Sequence, residues 1–284
     1  MSTFIEEIKS DLKNRMFMKL IFINVLIYVF IQLLNVVSRL TNIELNRITV
    51  LFFTLNTKIP DFLFYPWGIF TSIFSHFDFI HLLFNMIFLY HIGKLTEYYI
   101  GQKSIIYLYV LGGVIGGVLE LIIHMIFPTF YLSNSLIVGA SGSIMAIFTA
   151  LAIYKPSTTL NILGIFNIKI IWLALFYFIL DLIKIGSNDG IAHIAHIGGA
   201  LTGYFLINNN SLILDKLINF NNKNKKKKFK VEKGGRPLND DDFNLIKKQN
   251  EDQTNKILDK ISRSGYESLT KVEKEFLFKQ SKNG

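Results

Sequence analysis

The stretch "IVGASGSIMAIFTALAIY", residues 137–154, places Ser141 between Ala140 and Gly142 at the head of an otherwise apolar run. The run approaches the length that crosses a hydrocarbon layer of about 30 Å, yet a hydroxyl stands at its start. Two readings are open. Small residues let membrane helices pack closely, and a serine can bond back to its own helix, so Ser141 can be a packing residue. As a nucleophile it needs a base delivered from elsewhere in the chain. The fold decides, because that base must arrive on another helix.

The 284-residue chain is 51% hydrophobic and only 18% charged, which excludes an ordinary soluble domain. Apolar blocks at roughly 17–37, 79–99, 104–126, 138–154, 163–184 and 191–208 predict an all-α polytopic membrane protein, a six-transmembrane-helix bundle. The first block is too long and too asparagine-broken for a signal peptide, and no small-residue cleavage site follows it. The net charge of +9 is concentrated in "NNKNKKKKFK", residues 221–230, which beside a membrane marks a cytoplasmic flank rather than a nucleic-acid site. Lys9, Lys13, Arg15 and Lys19 at the first span, Lys94 and Lys103, and Lys155 and Lys169 agree with it. Both termini are expected in the cytoplasm of a multi-pass inner-membrane protein. The absence of cysteine excludes disulfides, a catalytic thiol and thiolate-bound zinc.

Four segments follow. Residues 1–16 read as an amphipathic helix on the bilayer, with Phe4, Ile5, Ile8 and Leu12 on one face. Residues 17–208 form the membrane domain and 209–233 a basic linker. Residues 234–284 read as a small cytoplasmic helical domain, in which Gly265 closes one helix and "TKVE", 270–273, opens another as a capping box. Within the membrane domain, residues 38–78 are expected to form a structured outer loop with Tyr65 and Trp67 at headgroup level.

Polar residues inside the spans are costly and therefore informative. They lie in "SHFDFIHLLFNM" (75–86), around Ser141, and in "GIAHIAHIGGALTGY" (190–204). The second, fourth and sixth spans run in the same direction, so His81, Ser141 and His196 fall at one depth toward the outer face. His81 and Asn85 share a helical face at four-residue spacing. His196, Gly199 and Gly203 share another, and with Gly139 and Gly142 beside Ser141 the two backbones can approach closely. Ser141 and His196 would then meet as nucleophile and base. The Ser141 N–H, His81 and Asn85 are the donors available to an oxyanion. The one carboxylate in these motifs is Asp78, and Asp78 and Glu97 are poorly placed to orient His196, so the expectation is a Ser–His dyad. His193 reads as a structural histidine or a cavity-lining one, His76 as an interfacial loop residue, and His91 and His124 as packing residues. A metalloenzyme using His81, His193 and His196 is a rival, although no HExxH is present. A transporter would show internal repeats and broken helices, which are not visible.

Together these motifs resemble the rhomboid family of intramembrane serine proteases. Its pattern HxxxxHxxxN, GxSG and AHxxHxxGxxxG appears as "HFDFIHLLFN" (76–85), "GASG" (139–142) and "AHIAHIGGALTG" (192–203), in order and on the expected spans. The resemblance covers roughly residues 60–208 and is similar to bacterial members, some of which carry such a C-terminal tail. It implies a serine endopeptidase with Ser141 as nucleophile, His196 as base, and His81 and Asn85 at the oxyanion, needing no cofactor and no metal. Its partners would be the lipid bilayer and transmembrane protein substrates; the tail's cytoplasmic partner is unnamed. Trp67 and Glu97 match structural positions. Two residues depart from the pattern: Gly68 replaces a common arginine, and Met145 replaces an aromatic that stacks on the histidine. A catalytically silent binding or trafficking member of the family is the alternative.

Overall fold

The computed structural model describes residues 10–41, 43–127, 136–162, 166–187, 189–208, 253–270, 272–274 and 276–277. The chain divides into two compact units, Met1–Lys226 and Lys227–Gly284. The first unit contains helices α1 (Met16–Thr41), α2 (Leu45–Phe53), α3 (Ile59–Phe64), α4 (Gly68–Thr71), α5 (Phe79–Tyr99), α6 (Gln102–Ile126), α7 (Ser141–Tyr154), α8 (Ile170–Ile183) and α9 (His193–Asn208). Two short antiparallel pairings accompany them: the long-range pair β1 (Leu55–Asn56) with β2 (Leu136–Ile137), and the hairpin β3 (Thr159–Ile162) with β4 (Phe166–Lys169).

Helices α1, α5 and α6 are long and apolar enough to cross a membrane, while α7 and α8 are apolar but only 14 residues each. Large apolar side chains point outward from several helices, among them Phe22, Phe30, Leu33, Phe84, Trp172 and Phe176. Water would not tolerate such a belt on a stable monomer, whereas hydrocarbon matches it. This is a membrane protein.

Helix α7 occupies the centre. Residues Gly142–Phe148 and Ala150–Ala152 are buried, so α7 has no lipid-facing stripe and is enclosed by its neighbours. At about 21 Å it is shorter than the bilayer core. Helices α6 and α9 press directly on it. A Cβ at Gly199 would fall on the Gly142 carbonyl oxygen, and one at Gly203 on that of Ala146. Gly112 of α6 meets the Ala146 side chain in the same way. Gly199 and Gly203 are required by contact between backbones, as small residues are between membrane helices.

One expected span is corrected. The block at 163–184 is not helical throughout, because Thr159–Ile162 and Phe166–Lys169 pair antiparallel in register Thr159↔Lys169 to Ile162↔Phe166, and α8 starts at Ile170. "TLNI" and "FNIK" alternate polar with apolar residues, the two-residue period of a strand. Their apolar content had disguised that period.

The segment between α1 and α5 is structured. β1 ties it to the chain just before Ser141 through Leu55↔Ile137. The Trp67 indole donates to the Leu51 carbonyl at 3.2 Å and its ring stacks on Phe52. At Gly68, where the resembled pattern often has arginine, an added Cβ would fall 2.2 Å from the Thr54 carbonyl oxygen, so no side chain fits there. Asp78 is the N-cap of α5, accepting from the His81 N–H at 2.8 Å.

Glu97, at the other end of α5, accepts from the Met16 N–H at 2.9 Å, the Phe17 N–H at 3.3 Å and the Gln102 amide at 2.9 Å. It thereby satisfies the free donors at the start of α1 with a negative charge. Glu97→Ala should lower stability by about 1–3 kcal/mol, read as a fall in the thermal transition in detergent, with Glu97→Gln losing less. An unchanged transition in the alanine variant would remove this role.

In the second unit, a helix over residues 253–264 ends at Gly265, whose φ is +77° and whose N–H bonds to Ile261. The capping box follows: the Thr270 N–H donates to Glu273 at 2.7 Å, and the Glu273 N–H to the Thr270 hydroxyl at 3.3 Å. Most of the expected N-terminal amphipathic segment, the basic linker and the first part of the tail (residues 1–9, 209–233 and 234–252) lie outside the described residues.

Candidate active site

Gly139 has φ +125°, a conformation glycine adopts without steric penalty, and it turns the chain from β2 toward α7. A Cβ there would lie 2.8 Å from Cε1 of His81 and 3.8 Å from Oγ of Ser141. Gly139 therefore lets the His81 ring stand beside the serine. Ser141 opens α7, and its Oγ lies 2.7 Å from Nε2 of His196. His196 is in the first turn of α9, whose start is held by Glu120 of α6: the Ala195 N–H donates to its carboxylate at 2.8 Å. Gly142 and Gly199 lie where α7 and α9 touch.

The far side of the His196 ring is also engaged. Its Nδ1 lies 3.0 Å from Oδ1 of Asp181, a residue of α8. The same oxygen lies 2.7 Å from Nδ1 of His193, and the His193 Nε2 lies 3.2 Å from both oxygens of Asp189. Asp189 accepts from Lys184 at 3.1 Å. The expectation that no carboxylate orients His196 is therefore corrected. Neither histidine motif contains the acid, which comes from "FILDLI" on a different helix. Its sequence signal was available: a lone carboxylate within an apolar block is expensive and asks for a partner. Glu120 carried the same signal.

His76 is also corrected. It is fully buried, not interfacial, and its Nε2 accepts from the Asn85 amide at 3.2 Å and from the Ala140 N–H at 3.4 Å. Burial, with His81 alongside, pushes its pKa down to about 3, so the ring stays a neutral acceptor at working pH. His76 thus links Asn85 to the turn before Ser141. Asn85 also donates to the His81 carbonyl at 3.1 Å, so both of its amide hydrogens are engaged. Binding an oxyanion would exchange one of them.

Ser141, His196, His81, Asn85 and Met145 line one cavity of about 620 Å³. The ring that meets His196 edge-on is His193, at 6.1 Å between centroids. Asp181, His193 and His196 also bring possible metal-ligand atoms within 4.8 Å of one another. Around zinc, ligands at about 2.0–2.1 Å stand roughly 3.3 Å apart. The 2.7 and 3.0 Å contacts to Asp181 are shorter and match shared protons instead. His81, from the metalloenzyme reading, is not in that cluster.

Comparison with known proteins gives a consistent family. The family model described as Rhomboid domain matches residues 64–208, just over half of the chain. A second model, of a family of unknown function (DUF6576), matches residues 239–283. Among curated proteins, RHOMBOID-like protein 6, mitochondrial, of Arabidopsis thaliana is 30% identical over 141 residues, 49% of this chain and 42% of the relative. RHOMBOID-like protein 12, mitochondrial, from the same plant is 31% identical over 141 residues, 46% of this chain and 42% of the relative. The chain thus spans about two fifths of the length of these relatives.

Proposed function

The chain belongs to the rhomboid family, and from that premise we propose that it is an intramembrane serine endopeptidase that cuts transmembrane helices of other membrane proteins. The observation that carries this reading is the 2.7 Å contact between the Ser141 hydroxyl and the His196 ring, inside a cavity large enough for a peptide segment. His196 Nε2 accepts the serine proton as Oγ attacks the scissile carbonyl, then returns it to the leaving amine. The Ser141 N–H at the head of α7, His81 and Asn85 receive the oxyanion. Water then hydrolyses the acyl-enzyme. A peptide bond within a helix is already hydrogen-bonded, so substrates with glycine, proline or small polar residues near the cut unwind most readily. The distribution of lysine and arginine favours six crossings with cytoplasmic termini and the site toward the outer face. Partners are the bilayer and transmembrane substrates, with the C-terminal unit's partner undefined.

A fluorophosphonate probe tests the reading directly. It should label the wild type at Ser141 and fail to label Ser141→Ala or His196→Ala. An unlabelled but folded wild type would favour the catalytically silent alternative. Asn85→Ala and His81→Ala should each lower kcat roughly 10²-fold through lost oxyanion contacts. Rates within threefold of wild type would take these two residues out of the oxyanion site.

A further inference from the structure

We propose that Asp181 is the positioning residue of this reaction, turning the Ser141–His196 pair into a three-membered relay whose carboxylate is itself held by His193. The inference rests on the peptidase reading above. A base facing a serine must present an unprotonated Nε2, which leaves the single ring proton on Nδ1. The acceptor at that nitrogen is Oδ1 of Asp181, 3.0 Å away. The contact therefore selects the reactive tautomer and fixes the ring plane. Once His196 takes the serine proton, the same carboxylate faces the new positive charge in a poorly hydrated site.

The placement of Asp181 supports a purpose beyond packing. It is one of three buried residues on α8, with Ile170 and Ala174, while Trp172, Phe176 and Ile179 of that helix face outward. A carboxylate on such a helix is costly unless its lone pairs are occupied. Here one oxygen receives two ring nitrogens, at 2.7 Å from His193 and 3.0 Å from His196. His193 faces carboxylates from both of its nitrogens, Asp181 on one side and Asp189 on the other. All these contacts are hydrogen bonds when His193 donates from both nitrogens. Lys184 closes the chain on Asp189. The line His196–Asp181–His193–Asp189–Lys184 thus runs from the serine to the turn between α8 and α9 with alternating acids and bases.

The test uses the full chain in phosphatidylethanolamine–phosphatidylglycerol vesicles with a transmembrane reporter, measuring kcat, KM and the thermal transition. Asp181→Asn should lower kcat by roughly 10²–10⁴-fold with KM within about twofold, because an amide donor at Nδ1 favours the wrong tautomer. The thermal transition should move little. A merely structural residue would lower the transition and the amount of folded enzyme without lowering kcat per folded molecule. Asp181→Glu and Asp181→Gln form a second pair of equal length; the acid should retain at least ~10-fold more activity than the amide. Equal kcat in that pair, or Asp181→Asn within threefold of wild type, overturns the proposal. Ser141→Ala measured alongside separates the cases: an active Ser141→Ala sinks the peptidase reading, whereas an inactive one beside a fully active Asp181→Asn sinks this inference alone.

Discussion

Ser141→Ala should reduce cleavage of a transmembrane reporter by roughly 10⁴-fold or more, with little change in the thermal transition. The hydroxyl hydrogen-bonds to the His196 ring and otherwise faces the cavity, so its loss removes chemistry and little packing. His196→Ala should fall by a similar factor, and the double variant should be no worse than the more damaged single one, because the two groups act as a unit. Additive losses would mean that they work in separate steps. A Ser141→Ala variant with a tenth of wild-type activity would end the nucleophile assignment.

Among the described glycines, Gly199→Ala should be one of the most damaging single-methyl changes. Its Cβ would lie 2.0 Å from the Gly142 carbonyl oxygen, a backbone atom that cannot rotate away. α7 and α9 must therefore separate, at a cost of about 3 kcal/mol or more, toward the upper end for overpacked interiors. The same displacement moves His196 from Ser141, and a shift near 1 Å can cost roughly 10²-fold in rate. Thermal unfolding and kcat should fall together. If Gly199→Ala melts and turns over as the wild type does, the close approach of the two helices is not required.

What could be read in the sequence was what a single helix keeps together. The spacing of His81 and Asn85, or of His196, Gly199 and Gly203, is a local property of a 3.6-residue turn. The position of Ser141 at the head of an apolar run is equally local. Asp181 could be read as a carboxylate in need of a partner, but not as the partner of His196, because that contact depends on how α8 is rotated against α9, which no spacing within one segment encodes. His76 was misplaced for a related reason: it lies outside an apolar block, yet Asn85 of α5 and the Ala140 N–H before α7 enclose it. The strands at 159–169 were lost because leucine, isoleucine and phenylalanine serve either period. Gly68 looked like a missing anchor until the Thr54 carbonyl beside it showed that there was no room for one.

The β3–β4 hairpin gives α8 a lever arm. It clamps the residue before α8, Lys169, against Thr159, while Asp181 lies eleven residues beyond Ile170, roughly 16 Å along the axis. Pivoting α8 by about 10° around that clamp would swing Asp181 through about 3 Å, as far as its whole separation from the His196 ring. A small lean of one outer helix is thus amplified into disconnection of the acid, so the angle of α8 sets whether the imidazole has its counter-charge.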